Sequence, residues 1–120
     1  MITVLALGLD PNFVDLTSMP GLTPELVRAY IDSQLERMRA SGYAVESCLV
    51  ASGDTAEAVV NDSLRKREYD CVMIGAGLRA PGQLLLFEKL LNLVHARAPR
   101  AKICFNTTPA DSVEAVQRWV

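Results

Sequence analysis

A chain of 120 residues, half of them apolar and 22% charged, with a formal net charge of −2, has the size and composition of one packed domain, residues 1–120. So small a charge, with no basic run denser than Arg65-Lys66-Arg67, excludes long-range attraction of a polyanion, and nucleic acid is not an expected partner. The apolar stretch from Met1 turns polar at Asp10 before a secretory core is complete, and no stretch reaches membrane-spanning length. Cys48, Cys71 and Cys104 stand singly in apolar runs, so a reduced cytoplasmic setting without a membrane partner is expected.

In chain order, Ile2 to Leu9 is apolar apart from Thr3 and closes on Gly8-Leu9-Asp10-Pro11, the pattern of a strand buried on both faces. The segment from Pro11 to Leu22 is long for a strand-to-helix connection and carries Phe13, Val14, Leu16 and Met19. It is read as a lid over the sheet edge or as a dock for a second subunit, with some preference for the second. Thr23-Pro24-Glu25 supplies an N-cap with proline in the first turn, and Leu26, Val27, Tyr30, Ile31, Leu35 and Met38 recur at helical spacing as far as Gly42.

Tyr43 to Ala51 mixes Val45, Leu49 and Val50 with Glu46 and Ser47, as an edge strand does. Asp54-Thr55-Ala56-Glu57 has capping-box spacing ahead of a helix striped with Ala56, Val59, Val60 and Leu64. Cys71 to Ile74 is a short central strand ending at Gly75-Ala76-Gly77. Pro81 opens a third helix in which leucine and phenylalanine cover more than half of the circumference. Lys102 to Asn106 is the fourth strand, and Thr108-Pro109-Ala110-Asp111 begins a last helix with Val113, Val116, Trp119 and Val120 on one stripe.

Four short strands each followed by a helix bury both sheet faces as a three-layer, doubly wound α/β domain with four parallel strands in the order 2-1-3-4. In such a sheet ligands collect outside the strand carboxyl ends where the order reverses, here between the first and third strands. That rule nominates Asp10 and Asn12, Gly75, Gly77 and Arg79, and Asn106 and Thr107. A glycine pair offers backbone N–H groups to an anion and Arg79 adds a fork of donors; equally, the glycines let the chain turn and Arg79 is a solvated loop residue. Asp10 is read as a ligand contact or as the opening of an Asp-Pro turn, and Asp54 and Thr108 as helix caps.

Neither the dinucleotide fingerprint nor the Walker pattern is present. His95, the lone histidine, belongs to the last turn of the third helix, and with no second histidine or acid-rich cluster no transition metal is expected. The cysteines are expected to be inert, buried thiols. Gly75 stands where a response-regulator receiver carries its phosphoacceptor aspartate, and Asp10-Pro11-Asn12-Phe13 replaces the flavodoxin phosphate loop.

From about Val27 to Phe105 the chain resembles universal stress proteins, through Ser41-Gly42-Tyr43-Ala44-Val45-Glu46, Gly53-Asp54-Thr55-Ala56-Glu57-Ala58-Val59 and Tyr69-Asp70-Cys71-Val72-Met73-Ile74-Gly75. The resemblance implies a nucleotide held by the aspartate ending the first strand, Asp10, and by a glycine-rich loop, Gly75 and Gly77. The pattern departs after Gly77, where Leu78 and Arg79 follow and no Gly-Ser pair opens the helix.

The expected function is therefore binding of a small anionic or nucleotide-like ligand at the carboxyl edge, with no cofactor named. The alternative is a homo-oligomeric interaction domain without a ligand, and the third is a small enzyme of unidentified reaction. A homodimer or higher oligomer is expected through the third helix and the Pro11 to Leu22 loop, because the excess leucine needs a cover.

Overall fold

Continuous apolar runs too short for helices pair here as strands, because only a sheet covered on both sides buries them from end to end. The computed structural model describes residues 1–120. Strands β1 (Thr3–Leu9), β2 (Ala44–Val50), β3 (Cys71–Ile74) and β4 (Lys102–Phe105) form one parallel sheet in the order β2-β1-β3-β4. The register sets Val4 beside both Val45 and Cys71, and Leu7 beside both Cys48 and Ile74.

Strand alternation divides the core into two layers. Leu5, Leu7, Leu9, Val72 and Ile74 meet α2 (Ala56–Lys66) and α3 (Leu84–Arg97) on one face. Val4, Ala6, Cys71, Met73 and Cys104 meet α1 (Pro24–Ala40) and α4 (Ser112–Gln117) on the other. This is the expected three-layer arrangement, with β1 and β3 central and β2 and β4 at the edges. Both edges carry an arginine on a strand carbonyl: Arg39 donates to Val45 O at 3.1 Å and Arg118 to Phe105 O at 2.8 Å. Charged side chains held against an edge oppose pairing with a further strand.

Helix starts follow local chemistry, with two departures from the sequence reading, and a third lies past the end of the last helix. Thr23 caps α1 as expected, its Oγ1 accepting from Leu26 N at 3.2 Å. Asp54 does not cap α2: Thr55 stands at the N-cap with right-handed helical dihedrals, so the helix begins one residue later than the motif requires and no side chain bonds its N-terminus. Pro81 opens a single 3-10 turn, Pro81–Gln83, and the α-helix proper starts at Leu84. In α4, Val113 and Val116 are buried and Val120 packs against the same core layer, but Trp119, past the helix end at Gln117, is 54% exposed.

The surplus of leucine on α3 is only partly covered. Leu90 and Val94 are buried, and Leu86, Phe87, Leu91 and Leu93 pack against the same core layer. Phe87 also meets Phe105 edge to face, with ring centroids 5.7 Å apart. Leu84 and Leu85 remain 61% and 76% exposed.

Candidate functional site

Where the strand order reverses, the crossover helices leave β1 and β3 in opposite directions and a gap opens beyond the strand ends. Here it is a cleft of about 910 Å³. Its walls are the ends of β1 and β3, the first half of α1, the Phe13 to Leu22 connection, and the turns at 80–83 and 106–112. Most of the lining is hydrophobic, and Asp15 is its single charged residue. At its mouth Phe13, Met19, Leu22, Leu26 and Tyr30 are each between 42% and 53% exposed.

The connection that forms one wall satisfies its backbone locally. Asp10 opens a 3-10 turn at Pro11–Phe13, accepting from Asn12 N at 3.0 Å and from Asn12 Nδ2 at 3.1 Å. Arg28 adds an ion pair to the same oxygen at 3.1 Å. The Asn12 N–H, followed by Arg28, holds the Asp10 carboxyl below the usual carboxylate range. Asp15 likewise takes Thr17 Oγ1 at 2.7 Å and Thr17 N at 3.0 Å, and these lower its carboxyl too. With their polar groups tied down, Phe13, Val14, Leu16, Met19 and Leu22 are left to line the cleft.

Of the seven residues nominated by sequence, the structure brings Gly75, Gly77 and Asn106 to the cleft lining, and Asp10, Asn12, Arg79 and Thr107 lie outside it. Gly75 N donates to Leu7 O at 2.8 Å. A Cβ at Gly75 would stand 3.2 Å from that oxygen, and one at Gly77 3.3 Å from the Leu9 Cβ. The positive-φ glycines are Gly21, Gly42 and Gly53, so Gly75 and Gly77 serve close approach to β1 rather than a left-handed turn.

Arg79 turns inward. Its guanidinium donates to the main-chain carbonyls of Ile74 and Asn106, reaches Asn106 Oδ1 at 3.3 Å, and lies 5.1 Å from the Phe105 ring centroid. Burial lowers its pKa from the usual arginine value. Thr107 belongs to the start of α4: its N–H and Oγ1 donate to the two Asp111 oxygens at 2.8 and 2.5 Å, and the hydroxyl leads in lowering the Asp111 pKa. Asn106 is 4% exposed, accepts from Arg79 and donates Nδ2 to Ser112 Oγ at 3.1 Å.

No family model and no curated protein matches this chain. Among solved structures it is similar to the crystal structure of a fragment of a provisionally designated lipoprotein from Peptoclostridium difficile 630. That similarity has a TM-score of 0.52 at 13% identity and covers 98% of this chain and 93% of that one. It shows a shared fold. In this chain no helix is long and apolar enough to cross a membrane.

The lining residues that sequence reasoning did not nominate include Val27, Tyr30, Ile31, Gln34, Met73 and Ser112. Their signal was present: the apolar side of α1 and the apolar connection before it are both wider than one sheet face needs. The fold rule selects the ends of strands and passes over the helix that flanks them. Cys48, Cys71 and Cys104 are free and buried, away from this lining, with Cys71 Sγ 3.5 Å from Cys104 Sγ. Burial raises the Cys48 pKa, and the Cys104 contact followed by burial raises that of Cys71.

Proposed function

We propose that this chain is a small-ligand-binding domain whose ligand enters the cleft between β1, β3, α1 and the Phe13 to Leu22 connection. One observation carries the proposal: a cleft of about 910 Å³ lies at the reversal point of a doubly wound sheet. That is within the range of roughly 300 to 1,000 Å³ usual for ligand sites, at the place in this architecture where they form. The resemblance to universal stress proteins favours the same edge. An anionic or nucleotide-like ligand bound there would have to draw Arg79 away from Phe105 and the two carbonyls it now serves. The free thiols agree with a reducing, cytoplasmic setting.

Thermal melts of the native protein against nucleotides, inorganic phosphate, carboxylates and neutral apolar compounds test the proposal. A compound at a hundred times its dissociation constant stabilises by about 2.7 kcal/mol. The shift should vanish in Val27→Trp, which places bulk in the α1 wall of the cleft. If no compound shifts the melt, or if the shift persists in that variant, the cleft is not the site.

A second reading is favoured by Leu84 and Leu85, which protrude from the first turn of α3. They give a second copy of the chain an apolar surface to cover, and two-fold pairing is the commonest closed arrangement. Light scattering at micromolar concentration tests this reading. A dimer mass that falls to the monomer in the double variant L84E/L85E supports it, and a monomer mass for the native protein ends it.

A further inference from the structure

We infer that the ligand of this cleft is an uncharged, largely apolar molecule presenting a carbonyl or ether oxygen to the side-chain amide of Asn106, with Arg79 as the residue that positions that amide. The inference rests on the cleft being a ligand site and adds the chemistry of the ligand. Charge is the first argument. The lining holds no lysine, arginine or histidine, so a carboxylate or phosphate would lose its water without a counter-charge. Asp15, the one charge present, is exposed and already accepts two hydrogen bonds from Thr17, which leaves little to draw a cation inward.

The second argument is a spare donor. Arg79 can only donate, so the Asn106 atom facing it must be the oxygen, at 3.3 Å. Ser112 donates its single hydroxyl proton to Pro109 O at 2.7 Å, so toward Asn106 it must accept, and the atom facing it, at 3.1 Å, must be the nitrogen. Both neighbours impose the same amide orientation. One Nδ2 hydrogen is then used by Ser112, and the other has no acceptor within the protein although the residue is 4% exposed and lines the cleft. A buried donor left without a partner is costly, and a ligand acceptor relieves that cost. In a lining that is mostly hydrophobic, that contact favours an acceptor-bearing neutral molecule over a hydrocarbon of equal size.

The experiment is a displacement titration on the full chain, with Nile red as the fluorescent probe and 2-decanone, decanoate, decylammonium and butylbenzene as competitors. The expected result is displacement by 2-decanone at concentrations about tenfold lower than by decanoate or decylammonium. Asn106→Leu should raise the half-displacing concentration of 2-decanone about tenfold and leave that of butylbenzene unchanged. Should that variant not fold, Asn106→Asp keeps the shape, the Arg79 contact and the missing donor, and the same ketone-to-butylbenzene ratio is read from it. Arg79→Gln should lower that ratio as well, because it releases the amide. If decanoate displaces best, or if the Asn106 variants weaken ketone and butylbenzene alike, the inference fails while the ligand site stands. If Nile red does not bind, the inference fails, and the thermal melts against the wider set of compounds decide whether the ligand site stands.

Discussion

Replacing Arg79 by alanine separates a structural arginine from one held in reserve for a ligand. In the native fold its guanidinium serves Ile74 O and Asn106 O, on residues that are fully buried and 4% exposed, and it also lies over the Phe105 ring. A buried carbonyl deprived of its donor costs about 1 to 3 kcal/mol, and a partly exposed cation over an aromatic face contributes about 0.5 to 1 kcal/mol. Because the guanidinium is itself partly open to water, the lower ends apply, and the loss expected for Arg79→Ala is about 2 to 3 kcal/mol. For a chain of this length that is a fall in melting temperature of roughly 10 °C. Urea unfolding followed by circular dichroism measures the loss directly, and Arg79→Lys, which keeps a charge but not the fork, should fall between the two. A solvated loop arginine would change stability by less than about 0.5 kcal/mol. A midpoint shift that small, at unchanged slope, would refute the role given to Arg79.

Further outcomes follow from the same structure. Gly75→Ala should destabilise by about 1 kcal/mol in the same unfolding assay, because the new methyl stands 3.2 Å from a main-chain oxygen of the central strand that cannot swing away; an unchanged midpoint would mean that β1 yields. A maleimide reagent should leave Cys48, Cys71 and Cys104 unlabelled in the native protein and label all three in denaturant, since burial keeps each thiol from solvent and raises the Cys48 pKa; rapid native labelling at neutral pH would contradict this. Tyr69, buried and donating to Glu46 Oε2 at 2.9 Å, has its pKa pushed up to about 12, by burial first and the carboxylate second. The folded chain then holds its phenolic proton above pH 10, where the unfolded chain has released it, so stability should fall as pH rises from about 10 to 12. Tyr69→Phe should flatten that alkaline decline, and an unchanged decline would exclude Tyr69 as its source.

The sheet was legible because its signals are local and redundant. Ile2 to Leu9 and Cys71 to Ile74 are apolar on successive residues, which only a strand covered on both faces tolerates, and the alternation with helices leaves one simple handed arrangement. The starts of α2 and α3 were less legible. Asp54 stands one residue before a cap, and Pro81 opens a tight turn before the helix, distinctions fixed by dihedral angles rather than by residue type. At the candidate site, Gly75, Gly77 and Asn106 follow from strand ends, whereas the wall built from Val27, Tyr30 and Ile31 depends on how the long connection lies across α1. The inward turn of Arg79 was out of reach for a related reason: its acceptors are carbonyls of Ile74 and Asn106, and the sequence marks no carbonyl as needing a donor.

Amide spectra of the isotope-labelled native chain titrated with 2-decanone test the central claim most directly, because they report the place of binding as well as its occurrence. The account predicts shifts gathered at Gly8, Val14, Val27, Gly77 and the Asn106 side-chain amide, with α2 and the second half of α3 unmoved. Shifts centred on α2 and α3, or no shifts at saturating ketone, would contradict it.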